Sequence, residues 1–547
     1  MEATSVPAPE AGRGVTGGTE LARNALGLPQ VLFCIVTGSA PLAAMMFNDP
    51  LGIRGVGIAL PAAFWIATVS FAFFSVGYIE MARRVTTAGG MYSYMSYGFG
   101  RIIGLGTAVG IAAAYMLFAV GVNGVTTYFA QVNILNLSGG FDMDWRIYAF
   151  LFILCMFATS YFHVESVAKF LGFALIGELL ILMIFSFAVV VKGGGPDGFV
   201  WEALNPAALF SGGAGVEGAD RVFGAVGGAA AGVGFFAAFW SWVGFEMAPN
   251  YAEEARNPKK MMAYAIYISA IGLGIVYTFW SWMLISAYGT GNDQALWAVA
   301  AQYGIDVENG PVNAGFADGN FGSMFYPVAG AFAGVGIENL FQVLIITGAF
   351  ACSLAFWNTA CRYLFAMGRE GILPRVFGRT HATHKSPFVA AIALLIFCSG
   401  VTALFALGGA GTGFQEALGI ETSSAIVPLF EIGTWLPFQG NTLLFPIMAL
   451  VDLAIIVYFL RPENRDGFHW FKTFLAPIIG AGSIAFAVYL MQKNRAFLTT
   501  GVYEGWTKAV PYYALGIFLG GCVIGVIYYY RSRERYDAIG KFVHEEA

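Results

Sequence analysis

The stretch GAVGGAAAGVGFFAAFWSWVGFEMAPN, residues 224–250, runs on into YAEEARNPKK and ends at Lys260. Its first half is Gly and Ala. Its middle is Phe239-Trp240-Ser241-Trp242, followed by Gly244, a carboxylate at Glu246 and a proline at Pro249. A segment built only to cross a bilayer would be more uniformly Leu, Ile and Val. Small residues let helices approach closely, Gly and Pro let a helix break, and an acid at membrane depth costs roughly 2.5–3.5 kcal/mol on insertion scales. The stretch therefore reads as a packed, broken and functional membrane helix.

The composition agrees. Of 547 residues, 58% are hydrophobic and only 11% charged, with a mean hydropathy of +0.69. A soluble domain carries about a quarter charged residues, so the deficit marks a polytopic, all-α membrane protein. The net charge of -5 is modest and the basic residues are scattered at segment ends, which gives no nucleic-acid footprint. The six cysteines fall in apolar stretches without a CxxC pair and read as small core residues. Residues 1–24 read as a disordered cytoplasmic tail.

With about 20 apolar residues needed per crossing, the chain holds about twelve spans. The first five lie near 27–47, 57–79, 102–130, 146–163 and 168–191. The next five lie near 223–249, 263–287, 338–366, 387–408 and 441–460, and a last pair near 474–491 and 510–530. With the N-terminus inside, roughly 21 of the 28 Lys and Arg fall on the cytoplasmic side, as the positive-inside rule expects. Both termini, including a tail at 532–547, are then cytoplasmic, and the connections near 192–222, 288–325 and 409–440 lie outside. The first span carries Thr37-Gly38-Ser39-Ala40-Pro41 at mid-depth, as the sixth carries Trp240 to Gly244. Two interrupted helices of opposite direction, each first in a set of five, are the signature of an inverted-repeat transporter with its site at the midplane.

Three runs carry a resemblance: GFEMAPNYAEEARNPKK at 244–260, IEMARRVTTAGGMYSYMSYGFGR at 79–101, and NTACRYLFAMGREGILPRVFGRTHATHKSPFVA at 358–390. Together they resemble the amino acid/polyamine/organocation (APC) permease superfamily over most of the first ten spans. The resemblance implies a five-plus-five, LeuT-like inverted repeat, residues 25–192 and 223–460 around an extracellular loop at 193–222. Two trailing helices follow at 474–531. It also implies secondary transport of amino acids or related amines across the cell membrane.

Candidate site residues follow. Where the first span unwinds, at Thr37, Gly38, Ser39 and Ala40, N–H groups opening the next half-helix point at the gap and could hold a substrate carboxylate; the plainer reading is a Pro kink with close packing. Ala40-Pro41 departs from the glycine-serine-glycine form usual in the family. Trp240 stands where relatives place an aromatic that closes over substrate, although aromatics also fill membrane cores. Tyr115 and Gly244 are expected to line the same cavity. Glu246 matches an acid found just past the break in relatives, and is expected either to couple a proton to gating or to cap the cytoplasmic gate. Glu178 lies where some proton-coupled relatives carry lysine, so it could carry the proton, help bind a cation, or pair structurally. Glu253, Glu254, Arg256, Lys259 and Lys260 read as a solvated, helix-capping turn, with pairing to Arg83 or Arg84 as the minority reading. Asp452 is expected to be satisfied within the bundle.

No P-loop, nucleophile elbow or paired-carboxylate arrangement occurs, and His381 and His384 lack the company of a metal site. The expectation is a transporter and not an enzyme, without cofactor or metal, moving an amino acid or related amine with a proton through the bilayer. An exchanger or polyamine carrier of the same fold is the alternative, a substrate-sensing transceptor the remote one. The oligomeric state is left open.

Overall fold

The computed structural model describes residues 24–85, 89–161, 164–195, 197–211, 231–289, 324–408, 427–499 and 504–540. Among these residues the chain is helical, without a β-sheet. Ten helices are long and apolar enough to cross a bilayer. With Trp145–Tyr161 and Ala231–Trp240 they make the twelve crossings in the order read from the sequence.

The third span, Arg101–Ser138, is the central pillar, packed against the eighth (Val335–Arg369), the tenth and the twelfth (Glu504–Arg531). Its 38 residues extend to about 57 Å at 1.5 Å each, well beyond the roughly 30 Å hydrocarbon layer, so it tilts or projects. The second span (Leu60–Arg84) packs on the seventh (Pro258–Tyr288), and the first on the fifth (Val164–Val191) and eighth. The outer faces stay apolar: Phe173 and Leu180 on the fifth span, Leu404 on the ninth (Phe388–Gly408) and Leu519 on the twelfth are exposed, as a lipid-facing surface requires.

Some boundaries differ from the sequence reading. Residues 427–440, read as loop, are helix: a π-helical stretch Val427–Trp435 leads into Leu436–Leu460. Glu431 and Thr434 are buried there against the third span, and polar residues inside a packed helix erase the apolar run that marks a span. The eleventh span likewise opens at Trp470, through a π-helical stretch Trp470–Leu475. Most of the expected outer connections lie outside the described residues.

Candidate functional site

The site is built from the two interruptions. The first span's N-terminal half, Leu28–Ser39, stops at Ala40, whose backbone is left-handed (φ 42, ψ 74). Pro41, with no N–H to continue the ladder, opens the next half, which passes through a π-helical turn at Ala44–Asn48 into Asp49–Val56. The sixth span is α-helical over Ala231–Trp240, turns at 241–244, and resumes as a tight 3-10 run Phe245–Tyr251. Gly244 has φ 130, and a Cβ there would sit 2.7 Å from the carbonyl carbon of Gly38 and the nitrogen of Ser39. Only glycine permits this approach.

Polar groups freed by the breaks bond across them. Ser39 Oγ donates to the Trp242 carbonyl (3.2 Å), and Asn48 Nδ2 donates to Ser241 Oγ (2.9 Å). Tyr277 of the seventh span donates to the Ser39 carbonyl (2.8 Å), and Cys352 of the eighth donates through sulfur to the Gly38 carbonyl (3.1 Å). Thr37 Oγ1 donates to the Leu171 carbonyl (3.3 Å). The breaks are thus anchored on the fifth, seventh and eighth spans.

A cavity of about 30 Å³ lies against them, lined by Gly38, Ser39, Ala43, Asn48, Trp240 and Phe356 together with Val122, Val125 and Gly433. That is room for a water or two, far below the several hundred Å³ of an open ligand pocket, so the site is closed down. Its lining includes no charged side chain. Trp240 packs on Phe118 (4.7 Å between centroids) and Phe356 (5.8 Å), forming one aromatic floor.

Below the floor the chain closes in layers. Tyr115 stacks on Tyr363 and donates to Glu246 Oε1, whose other oxygen accepts from the Gly244 N–H at 2.9 Å. Tyr78 donates to the Glu246 carbonyl (2.9 Å). Glu246 therefore ties the resumed half of the sixth span to its own break and to the third span. One turn further, Arg362 grips Glu254 Oε2 with two nitrogens (3.1 and 2.8 Å) and lies 4.2 Å over the Tyr251 ring. Beyond it, Arg369 holds Glu253 (2.8 Å). Both pairs are buried, with side chains no more than 10% exposed.

These pairs correct the sequence reading of Glu253 and Glu254 as solvated. The Leu26 N–H donates to the Glu254 carbonyl and the Arg256 N–H to the Leu26 carbonyl, which draws the turn inward under the eighth span. Arg83 and Arg84 bond Glu80 and Asp466 instead.

Glu178 accepts from the Leu42 N–H (3.0 Å), the first donor after Pro41. Its other oxygen is without a partner, and a Cβ on Gly348 would lie 2.7 Å from its carboxyl carbon. A donor expected to face a substrate carboxylate is therefore held by the protein's own. Asp452 also departs from expectation: it is buried without a hydrogen-bond partner, beside Gly77 and Gly480, which make room for it and donate nothing.

Of the residues singled out in the sequence, Gly38, Ser39, Ala40 and Trp240 line the cavity. Gly244 packs behind it, Thr37 bonds the fifth span, and Tyr115 and Glu246 form the layer beneath. Glu178 bonds the first break at Leu42 and does not line the cavity. Cys352 and Phe356 were missed, because in the sequence they are an ordinary part of an apolar helix; so was Arg362, which looks like a span-end cation. Among the described residues no group of three His, Cys, Asp or Glu is placed to hold a metal ion.

Comparison with known proteins bears on the family and the fold. The profile of the amino acid permease family matches residues 26–522. A branched-chain amino acid permease, BcaP, of Bacillus subtilis is 23% identical over 509 residues, covering 90% of this chain and 89% of its own. A methylthioribose transporter of the same organism is 22% identical over 468 residues, 81% and 83% of the two chains. Among solved structures, the manganese transporter of Eremococcus coleocola matches 96% of this chain and 99% of its own, with a TM-score of 0.54 at 9% identity, a likeness of fold. The protein is a multi-pass membrane transporter and belongs to the amino acid permease family of the APC superfamily.

Proposed function

We propose that the protein is a proton-coupled permease for neutral amino acids with apolar side chains, working by alternating access from a cell membrane with both termini in the cytoplasm. The observation that carries the reading is the cavity held between the two helix breaks, whose walls are mostly alanine, valine, phenylalanine, tryptophan and glycine, with Ser39, Asn48 and Cys352 as the polar members and no charged side chain. A similar relative bears a branched-chain amino acid permease's name, which supports the same substrate class. Substrate entering the site pushes the floor of Trp240, Phe118 and Phe356 apart, and rocking of the bundle then exposes it to the other side. A proton moving inward across 100 mV contributes about 2.3 kcal/mol, enough for about a fifty-fold gradient.

Glu246 is the group we assign to coupling. As a carboxylate it accepts from both Gly244 and Tyr115; with a proton on one oxygen it gives up an acceptance, and the tie between the sixth and third spans loosens. Glu178 can act on the first break in the same way through Leu42. Glu246→Gln is expected to lower proton-driven accumulation about tenfold, the worth of one charge-assisted hydrogen bond, while exchange between loaded vesicles falls much less. Equal loss of both activities assigns Glu246 to structure. Trp240→Ala is expected to raise the half-saturation concentration about tenfold through lost aromatic contact; parent kinetics would remove it from the site.

A second reading is a neutral thio-sugar as substrate. The Leu42 N–H is already taken by Glu178, and a methylthioribose transporter is among the relatives. Uptake of labelled amino acids, polyamines and methylthioribose into liposomes, with and without an inward proton gradient, separates the readings. Accumulation of an aliphatic amino acid that an uncoupler collapses is the expected result. Flux only into preloaded vesicles, whatever the gradient, would replace symport with exchange.

A further inference from the structure

The last described residues fold back under the basic end of the bundle. After the twelfth span, a short helix Arg533–Ala538 leads to Ile539, which is 1% exposed, and Gly540. Gly540 has φ 72, and its N–H donates to Glu370 Oε1 at 3.1 Å. Tyr92 Oη donates to the same oxygen at 2.9 Å. A Cβ on Gly540 would come within 2.9 Å of Ser96 Cβ, so this residue is wedged against the helix Met91–Phe99. Arg101, opening the third span, pairs with Asp537 and lies over Tyr536, while Tyr528 donates to the Ile372 carbonyl at 2.9 Å.

The position of Glu370 gives these contacts their consequence. Its chain neighbour Arg369 holds Glu253 of the segment that follows the sixth span. One dipeptide thus carries the gate bond on its first residue and the tail bond on its second. Between tail and bundle a cavity of about 560 Å³ remains, lined by Glu370, Leu373, Tyr528, Arg535 and Ala538 among others. The tail is pinned at a few points over open space, the kind of element that detaches without unfolding the rest.

We propose that residues 533–540 form a latch that, when seated, fixes Glu370 and Arg369 and holds the basic-end gate shut, and when released eases its opening. Burial pushes the Glu370 carboxyl up to about 8, against the Gly540 N–H, the Tyr92 hydroxyl and the Arg369 guanidinium, with Glu253 adding to the rise. Tyr92 is itself raised well above the usual tyrosine range and Arg369 stays charged. A lifted tail wets Glu370 and returns it toward an ordinary 4.5. The seated form therefore holds the proton more tightly: seating is favoured fully below 4.5 and is lost as pH rises through about 8.

Cys34 reports the gate, since it is 1% exposed and lies within electrostatic reach of Arg362 and Glu254. In full-length protein with the other five cysteines replaced, maleimide labelling of Cys34 is compared at pH 6 and pH 9 among four forms. These are the parent, a deletion of 533–547, Gly540→Leu and Glu370→Gln. Each rate is divided by that of the deletion at the same pH, which cancels thiol ionisation. The parent ratio is expected to be about one-tenth at pH 6, the worth of one buried hydrogen bond, and to approach one at pH 9. Gly540→Leu, which cannot seat, should stay near one, and Glu370→Gln, which keeps the acceptor without the titration, should stay low at both. A parent ratio of one at pH 6, or a Gly540→Leu ratio equal to the parent's, overturns the latch. Labelling needs no substrate, so this outcome is separate from the failure of any transport assay.

Discussion

Arg362→Met is expected to open the basic end of the protein. Arg362 is 4% exposed and Glu254 2% exposed, and the two share a pair of hydrogen bonds. Removing one member of a buried pair leaves the other charge stranded, at roughly 3–5 kcal/mol. The protein escapes that cost where Glu254 reaches water, which requires the turn after the sixth span to move away from the eighth. Labelling of Cys34 in the single-cysteine background should rise by two orders of magnitude or more, since each 1.4 kcal/mol is about a factor of ten, and accumulation should fail through leak. Replacing both partners, Arg362→Met with Glu254→Met, should return labelling most of the way to the parent rate, because no stranded charge remains. If the single variant labels like the parent, or the double labels as fast as the single, the pair is not the gate.

Gly244→Ala is expected to abolish transport while Gly38→Ala spares a measurable part of it. At Gly244 the new Cβ meets backbone, 2.7 Å from Gly38 C and Ser39 N, at a φ of 130 that alanine adopts only under strain; such strain costs about 1–3 kcal/mol before the clash is counted. At Gly38 the nearest atom, at 2.4 Å, is the terminal methyl of Met247, a flexible side chain that can swing away, with the Gly244 Cα at 3.2 Å. Initial uptake in liposomes, normalised to folded protein by gel filtration, should fall below about 1% of parent for Gly244→Ala. Equal activity of the two variants would mean that the breaks need not touch.

The architecture was legible because bilayer crossing leaves a coarse signal: runs of apolar residues, basic ends, and breaks advertised by Gly, Ser and Pro in the wrong place for an uninterrupted helix. Glu178 and Glu246 stood out for the same reason, as acids where acids are expensive. Their partners did not, since the Leu42 N–H that Glu178 accepts belongs to a residue 136 positions earlier and a backbone donor has no sequence signature. The Glu253-Glu254 turn misled because two acids at a helix boundary look the same whether water or an arginine 108 or 116 positions away satisfies them. The start of the tenth span was hidden by Glu431 and Thr434, polar residues that packing and not composition places inside.

The π-helical turn at Ala44–Asn48 gives the C-terminal half of the first span a second joint. The first, at Ala40, is only four positions away. A π-helical turn accommodates an extra residue, so rotation and tilt need not be borne by the same bond. With two joints in series, the C-terminal half-helix leaves the axis of the first half over two irregular turns instead of one, like a shaft through a double coupling. Asn48, bonded to Ser241 of the other broken helix, is the last residue of the second joint. The break of the sixth span is therefore bonded to the first span at both of its joints, to Ser39 beside the first and to Asn48 in the second.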